Sequence, residues 1–247
     1  MQQPASVAVL YDVHANLPAL EAVIADVRRQ GITRLVFGGD IVPGPLPRDT
    51  IDYLRALDLP AEYIMGNGDR EILERMRGRE TSAVPEAFRE SMRWNAGQLG
   101  ADDERWMGHW SATLRVDIPG VGEVLFCHAT PHGDTPIFTR RTPDQRVREL
   151  FAGTTAPLVI CGHTHMQFDR QIGDLRIVNA GSVGMPFGAP GAYWLALGPG
   201  IELRRTDYDL DAAAERIRRS AYPQAEEFAS RSVLQPPTED QMLAAFT

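Results

Sequence analysis

The chain contains no lysine. Its 25 basic residues are all arginine, and 33 aspartates and glutamates outnumber them, for a formal net charge of −8. One-sided arginine usage follows from genome composition as readily as from function. The acidic balance argues against broad electrostatic binding of nucleic acid, although a local basic patch is compatible with it. Cysteine is nearly absent. Cys127 and Cys161 both sit in apolar runs, VLFC and LVIC. That excludes a disulfide scaffold and reads as two small buried hydrophobes in a reducing compartment, so the expected location is cytoplasmic. No stretch approaches the eighteen apolar residues of a membrane span, and the N-terminus lacks a charged segment before an apolar one. No membrane partner and no export signal are expected. Internal repeats and low-complexity tracts are lacking too.

What is present fits an ordinary globular chain: 247 residues, 43% hydrophobic and 23% charged. That length buries a sizeable core without disulfides or a structural metal. SVAVLYD (6–12) is short, apolar and β-branched, as a strand covered on both faces should be. A helix is expected from Asn16 and Pro18 through Val27, ending at Gly31. RLVFGGD (34–40) reads as a second strand, 48–57 as a second helix and AEYIMGNGD (61–69) as a third strand. This βαβαβ rhythm calls for a mostly parallel, right-handed sheet. Residues 70–110 have a helical pattern, with Trp94, Trp106 and Trp110 as packing anchors. Short strands separated by turns then follow near 112–118, 121–127, 157–161, 167–172, 174–180 and 192–197. A helix is expected at 211–220, with the last dozen residues, including Pro236 and Pro237, loosely held. The predicted fold class is α/β (α+β), a four-layer sandwich of two mixed β-sheets flanked by helices. Its domain is expected over 1–208, with 209–247 a helical tail packed on it.

The polar residues at the strand ends carry the chemistry. Asp12 and His14 lie two apart where the first strand gives way to a loop, so their side chains share one side. By itself that pair is equally well explained by Asp12 capping the next helix. The second strand ends in Asp40, the third in Asn67, VLFC in His128, and LVIC in Gly162, His163 and His165. Four of the six histidines therefore gather at strand ends, which helix capping does not explain, and ligands of open α/β sheets bind there. Imidazole, carboxylate and amide oxygen suit borderline divalent metals: Mn first, with Fe, Ni, Co or Zn as alternatives. Seven ligands exceed one tetrahedral ion. They suit two ions roughly 3.5–4 Å apart with a shared carboxylate, for which Asp40 is the natural bridge.

DVHAN, GGD, GNGD, CHATP and CGHTH, in this order over about 6–185, resemble the five blocks of the calcineurin-like metallophosphoesterases. NAGSVG (179–184) is similar to the segment after the last block. The nearest likeness is to the small bacterial and archaeal phosphodiesterases. The resemblance implies Asp12, His14, Asp40 and His165 on one metal and Asp40, Asn67, His128 and His163 on the other. It implies hydrolysis of a small phosphodiester or phosphomonoester by a metal-bridging hydroxide, with Asp40, Asn67 and His128 in the catalytic machinery. A second reading, from another class, is a scaffold or regulatory protein that keeps this fold without catalysis.

The pattern departs from the superfamily at two places. Many members have GNHD, whose histidine protonates the leaving oxygen; here position 68 is glycine, and loss of such a donor costs about 10²–10⁴ in rate. His132, in CHATPHGD, is the expected substitute proton donor. Ala15 replaces a usual glycine and is expected to be tolerated if its φ is negative. Asn16 and Asn67 are the expected substrate contacts, Asn16 being equally a helix cap. Asp69 is expected to cap the helix near Arg70. Arg140 and Arg141 could meet phosphate or simply be solvated, and Met185–Phe187 could wall the cleft or simply pack. His109, between two tryptophans, reads as structural. A nuclease is disfavoured by the acidity and by the lack of an aromatic-interleaved basic stripe.

Overall fold

The computed structural model describes residues 6–79 and 85–246. The elements run β1 (Val7–Leu10), α1 (Leu17–Arg29), β2 (Arg34–Phe37), α2 (Pro47–Arg55), β3 (Ala61–Tyr63), α3 (Asn67–Met76), α4 (Glu86–Gly97), α5 (Ala101–Met107), β4 (Thr113–Ile118) and β5 (Gly122–Cys127). They continue with α6 (Asp144–Leu150), β6 (Leu158–Cys161), β7 (Phe168–Ile172), β8 (Leu175–Asn179), β9 (Ala192–Leu197), β10 (Ile201–Thr206), α7 (Leu210–Arg218), α8 (Ala225–Phe228), a π-helical turn (Ala229–Leu234) and α9 (Glu239–Ala245).

Two five-stranded mixed sheets result, ordered β10-β9-β1-β2-β3 and β4-β5-β6-β8-β7. In the first, β1, β2 and β3 are parallel while β9 and β10 run against them. In the second, β5, β6 and β8 are parallel and the flanking β4 and β7 antiparallel. Alternation along the strands divides the core. Ala8 and Leu10 face helix α1, whereas Val7, Val9 and Tyr11 join Phe126 and Ile160 between the sheets. The outer face of the second sheet packs Cys127, Val159 and Cys161 on Val147 of α6 and Phe151 beyond it. These are the four layers expected.

Three expectations need correction. The third strand ends at Tyr63, because Gly66 adopts the extended N-cap conformation and Asn67 already begins α3. The helical 70–110 stretch is three helices; positions 80–84 within it lie outside the described residues. The tail is ordered: Thr238 caps α9 with a reciprocal bond from Gln241, and Leu243 is fully buried. Strand β10, helix α6 and, in the tail, α8, the π-helical turn and α9 were not foreseen as elements. Ala213, Ala214 and Ile217 of α7 pack with Phe228, Ala229 and Val233, and Met185 and Tyr208 lean on the same cluster.

Candidate metal centre

The carboxyl ends of β1, β2, β5 and β6 meet where both sheets open. Their loops are held by long-range backbone bonds: Asp12 N–H to Gly39 C=O (3.0 Å), His14 N–H to Asp40 C=O (2.9 Å) and Gly162 N–H to His128 C=O (2.9 Å). Tyr11 reaches across the inter-sheet core and donates its hydroxyl to Ile160 C=O (2.9 Å). Ser182 donates to Asp12 C=O (2.8 Å), so the NAGSVG turn braces the first ligand loop. Two glycines make the approach possible. A Cβ on Gly39 would stand 2.6 Å from His128 Nδ1, and one on Gly66 2.3 Å from Asp40 Oδ1.

Left-handed backbone is concentrated in these loops. Asp12 (φ 52°), His14 (47°), Ala15 (45°), Asp40 (51°), His163 (66°) and His165 (59°) are the non-glycine residues with positive φ among the described residues. Five of the six are sequence-predicted ligands. Strain of this kind persists only where surrounding contacts over-determine it, and it clusters at functional sites. Ala15 therefore differs from expectation: its φ is positive, and it keeps the conformation that glycine would take without cost.

The hydrogen bonds fix which ring nitrogens face inward. His14 Nδ1 lies 3.1 Å from Pro43 C=O, His128 Nδ1 2.9 Å from Gly38 C=O, and His165 Nδ1 2.7 Å from Met185 C=O. Each ring commits its Nδ1–H to a backbone carbonyl and turns Nε2 toward the cluster, the orientation that prepares an imidazole for a metal. Nε2 of His14 and Nε2 of His165 are 3.2 Å apart. Asp12 Oδ1, 3.3 Å from His165 Nε2, is buried without a hydrogen-bond partner. Asp40 Oδ2 stands 3.9 Å from His14 Nε2 and 3.7 Å from His128 Nε2, between the two groups. Asp12 Oδ1 is 3.9 Å from each of the same two nitrogens. Two overlapping groups able to hold a metal ion result: Asp12, His14 and His165, and Asp12, Asp40 and His128.

Asn67 completes the second set. One end of its amide is 3.0 Å from His128 Nε2 and 3.1 Å from His163 Nδ1. With Oδ1 there, three lone pairs converge, which a cation would resolve; with the amide turned over, Nδ2 donates to both rings. The donor set thus fits divalent cations on chemistry and on the orphaned Asp12 oxygen.

Electrostatics point the same way. Burial pushes the Asp12 carboxyl up, but the charges of His165, His128 and His14 outweigh it and hold Asp12 well below the usual carboxylate range. Burial lowers His14, to about 4, helped by the charge of His165. His163 is lowered by burial and by His128. Burial opposes charge on His128 and His165 too, but Asp40 and Asp12 prevail and raise both. Asp69, raised to about 7 by burial and the charge of Asp40, accepts from Ile41, Val42 and Gly66 N–H groups. It caps α3 from the third helical position and pins the loop after β2.

The remaining candidates fare differently. His132 is not brought to the cluster: it is exposed, and its Nε2 lies 2.8 Å from Ala152 C=O. Asn16 is fully buried, its Oδ1 capping α1 at Ala19 N–H and its Nδ2 donating to Gly184 C=O, so no group is left for substrate. Arg140 and Arg141 pair with Glu239 and Asp240 of the tail. His109 is exposed, with Nδ1 2.6 Å from Arg105 C=O. A Cβ on Gly68 would come 2.7 Å from Pro43 Cγ and 3.0 Å from Asp40 Oδ1, so a histidine has no room there.

Met185 and Phe187 do wall the cleft. Phe187 stacks on the His165 ring at 5.0 Å, and both line a cavity of about 450 Å³ whose floor includes His14, Asp40, Asn67 and Gly68. Sequence reasoning missed the rest of its lining, drawn from α4 and the tail, because no motif marks it. No helix among the described residues is long and apolar enough to cross a membrane.

Comparison with known proteins agrees with this architecture. The chain is 27% identical over 239 residues to an uncharacterized protein of Methanocaldococcus jannaschii, covering 88% of this chain and 94% of that one. A hypothetical protein of Pyrococcus horikoshii has the same fold, with TM-score 0.79 at 17% identity over 95% of this chain and all of that chain. So has a metallophosphoesterase of Sphaerobacter thermophilus, with TM-score 0.69 at 23% identity over 92% and 98% of the two chains. The family description "calcineurin-like phosphoesterase superfamily domain" matches residues 6–197, which carry both sheets' ligand loops, and the chain belongs to that superfamily.

Proposed function

We propose that the protein hydrolyses a phosphodiester or phosphomonoester of modest size with the help of two divalent transition-metal ions, manganese foremost. Asp12, His14, Asp40 and His165 would hold one ion and Asp40, Asn67, His128 and His163 the other. The observation that carries this reading is the inward convergence of three imidazole Nε2 atoms around an unpartnered Asp12 oxygen. When bound, such ions acidify water and neutralise phosphoryl oxygens.

The chain's own contribution is placement. Asp40 Oδ1 accepts from Gly68 N–H at 2.7 Å, which leaves Oδ2 between the two ligand groups, where it would be available to both ions. Asn67 lines the cavity as well as the cluster, which supports its amide as a contact for a phosphoryl oxygen. Neither Gly68 nor His132 supplies a proton to the leaving oxygen. The substrate is therefore one whose leaving group departs readily. Free, buried cysteines fit a reducing compartment.

The test is hydrolysis of bis(p-nitrophenyl) phosphate by chelator-stripped protein with Mn²⁺ restored. Activity should return with the metal and fall by at least about 10²-fold in His128→Ala, as expected when a metal ligand with its oriented Nδ1–H is removed. Metal-dependent turnover unchanged in that variant would refute the reading. A folded protein with neither metal nor turnover would favour the scaffold.

A further inference from the structure

The cavity over the metal centre is built mostly by parts of the chain outside the five motif blocks. Phe88 and Met92 come from α4, and Tyr222, Phe228, Arg231 and Met242 from the tail. Phe88 is 50% exposed there, a large apolar side chain facing open space. Arg231 is the one arginine without a partner among the described residues; the others are committed to acids or other groups across the molecule. A π-helical turn presents it, a geometry that recurs at functional sites. Glu227, on the same wall, accepts from Gln224 and makes no ion pair with Arg231.

Two further polar groups on this wall are already used. Asn95 exchanges both amide hydrogen bonds with Gly44, and Ser91 donates to Phe88 C=O. The wall therefore offers mostly apolar area and rings. Phe88, Phe187, Tyr222 and Phe228 favour a flat aromatic body over a flexible chain, and the cavity is of small-molecule size.

We propose that this cavity takes an aromatic leaving group bearing a second negative charge, with Arg231 as its counter-ion. The inference rests on the phosphoesterase reading for calling that body a leaving group. It also gives a reason for the absent proton donor at position 68, because aryl alcohols leave without one.

The test is a fluorescence titration of the full chain, with and without Mn²⁺, using anilinonaphthalene sulfonate as probe. One probe per chain should bind, displaced by naphthalenesulfonate and not by methanesulfonate. Arg231→Gln should weaken naphthalenesulfonate about tenfold, the effect of losing a charge-assisted hydrogen bond, and leave naphthol unchanged. Arg231→Lys should retain most of the affinity, and Arg146→Gln, at a distant exposed ion pair, all of it. Equal binding by Arg231→Gln, or tighter binding of octanesulfonate than of naphthalenesulfonate, would overturn the proposal. Arg231-dependent aryl binding without metal-dependent hydrolysis would leave the cavity's ligand class standing and remove the phosphoesterase reading. Hydrolysis without such binding would do the reverse.

Discussion

Ala15 sits at φ 45° between a ligand loop and helix α1. A left-handed alanine costs roughly 1–2 kcal/mol that glycine does not incur, while glycine loses up to about 1 kcal/mol more through the unfolded chain. Ala15→Gly should therefore stabilise the protein by about 0.5–1 kcal/mol, read as a rise in Tm; an unchanged or lower Tm would show that the loop is not strained. The histidines make a second residue-level prediction. His128 and His165 are raised above the ordinary imidazole value of 6.5, so the stability they contribute is fully present below pH 6.5 and lost as pH rises through their folded values. Asp69, held at about 7, acts in the same direction up to that pH. Metal-free protein should thus lose stability as pH rises above 6.5. With Mn²⁺ the trend should reverse, because the same nitrogens exchange a proton for the ion. Parallel pH profiles in thermal melts with and without Mn²⁺ would contradict it. Six of the seven proposed ligand positions were legible because they follow apolar strands directly, and Asn67 because of its glycine-flanked motif at the start of α3. The fates of Asn16 and His132 were not, since Gly184 and Ala152, which occupy their polar groups, are set by tertiary packing.

At the scale of elements, β1, β2, β5, β6 and β9 announced themselves as apolar runs, being covered on both faces. β10 did not: it is an edge strand with exposed Glu202, Leu203 and Arg205, following a Gly-Pro-Gly turn that reads as a stop. Helix α9 was hidden for a related reason. Seven residues after two prolines give too short a period to read, yet capping and the ion pairs of Arg140 and Arg141 hold it on the domain. Leu243 decides between the two views. Fully buried, it should cost about 2–4 kcal/mol when truncated in Leu243→Ala. A loosely held tail would lose under about 0.5 kcal/mol, as surface substitutions do, and urea denaturation separates these values.

For the whole molecule, the two sheets serve to bring four strand ends to one point, and the tail and α4 then roof that point. The sandwich and its ligand loops followed from local pattern and motif. The roof did not, because Phe88, Phe187 and Arg231 come together only through long-range packing. The central claim is that Asp12, His14, Asp40, Asn67, His128, His163 and His165 form two metal sites. Manganese bound per chain, measured by atomic emission after stripping, reloading and gel filtration, tests it most directly. Two ions per chain in the wild type, with His14→Ala and His128→Ala each losing one, is the predicted result. No bound ion in a folded chain, or two ions retained in both variants, would contradict it.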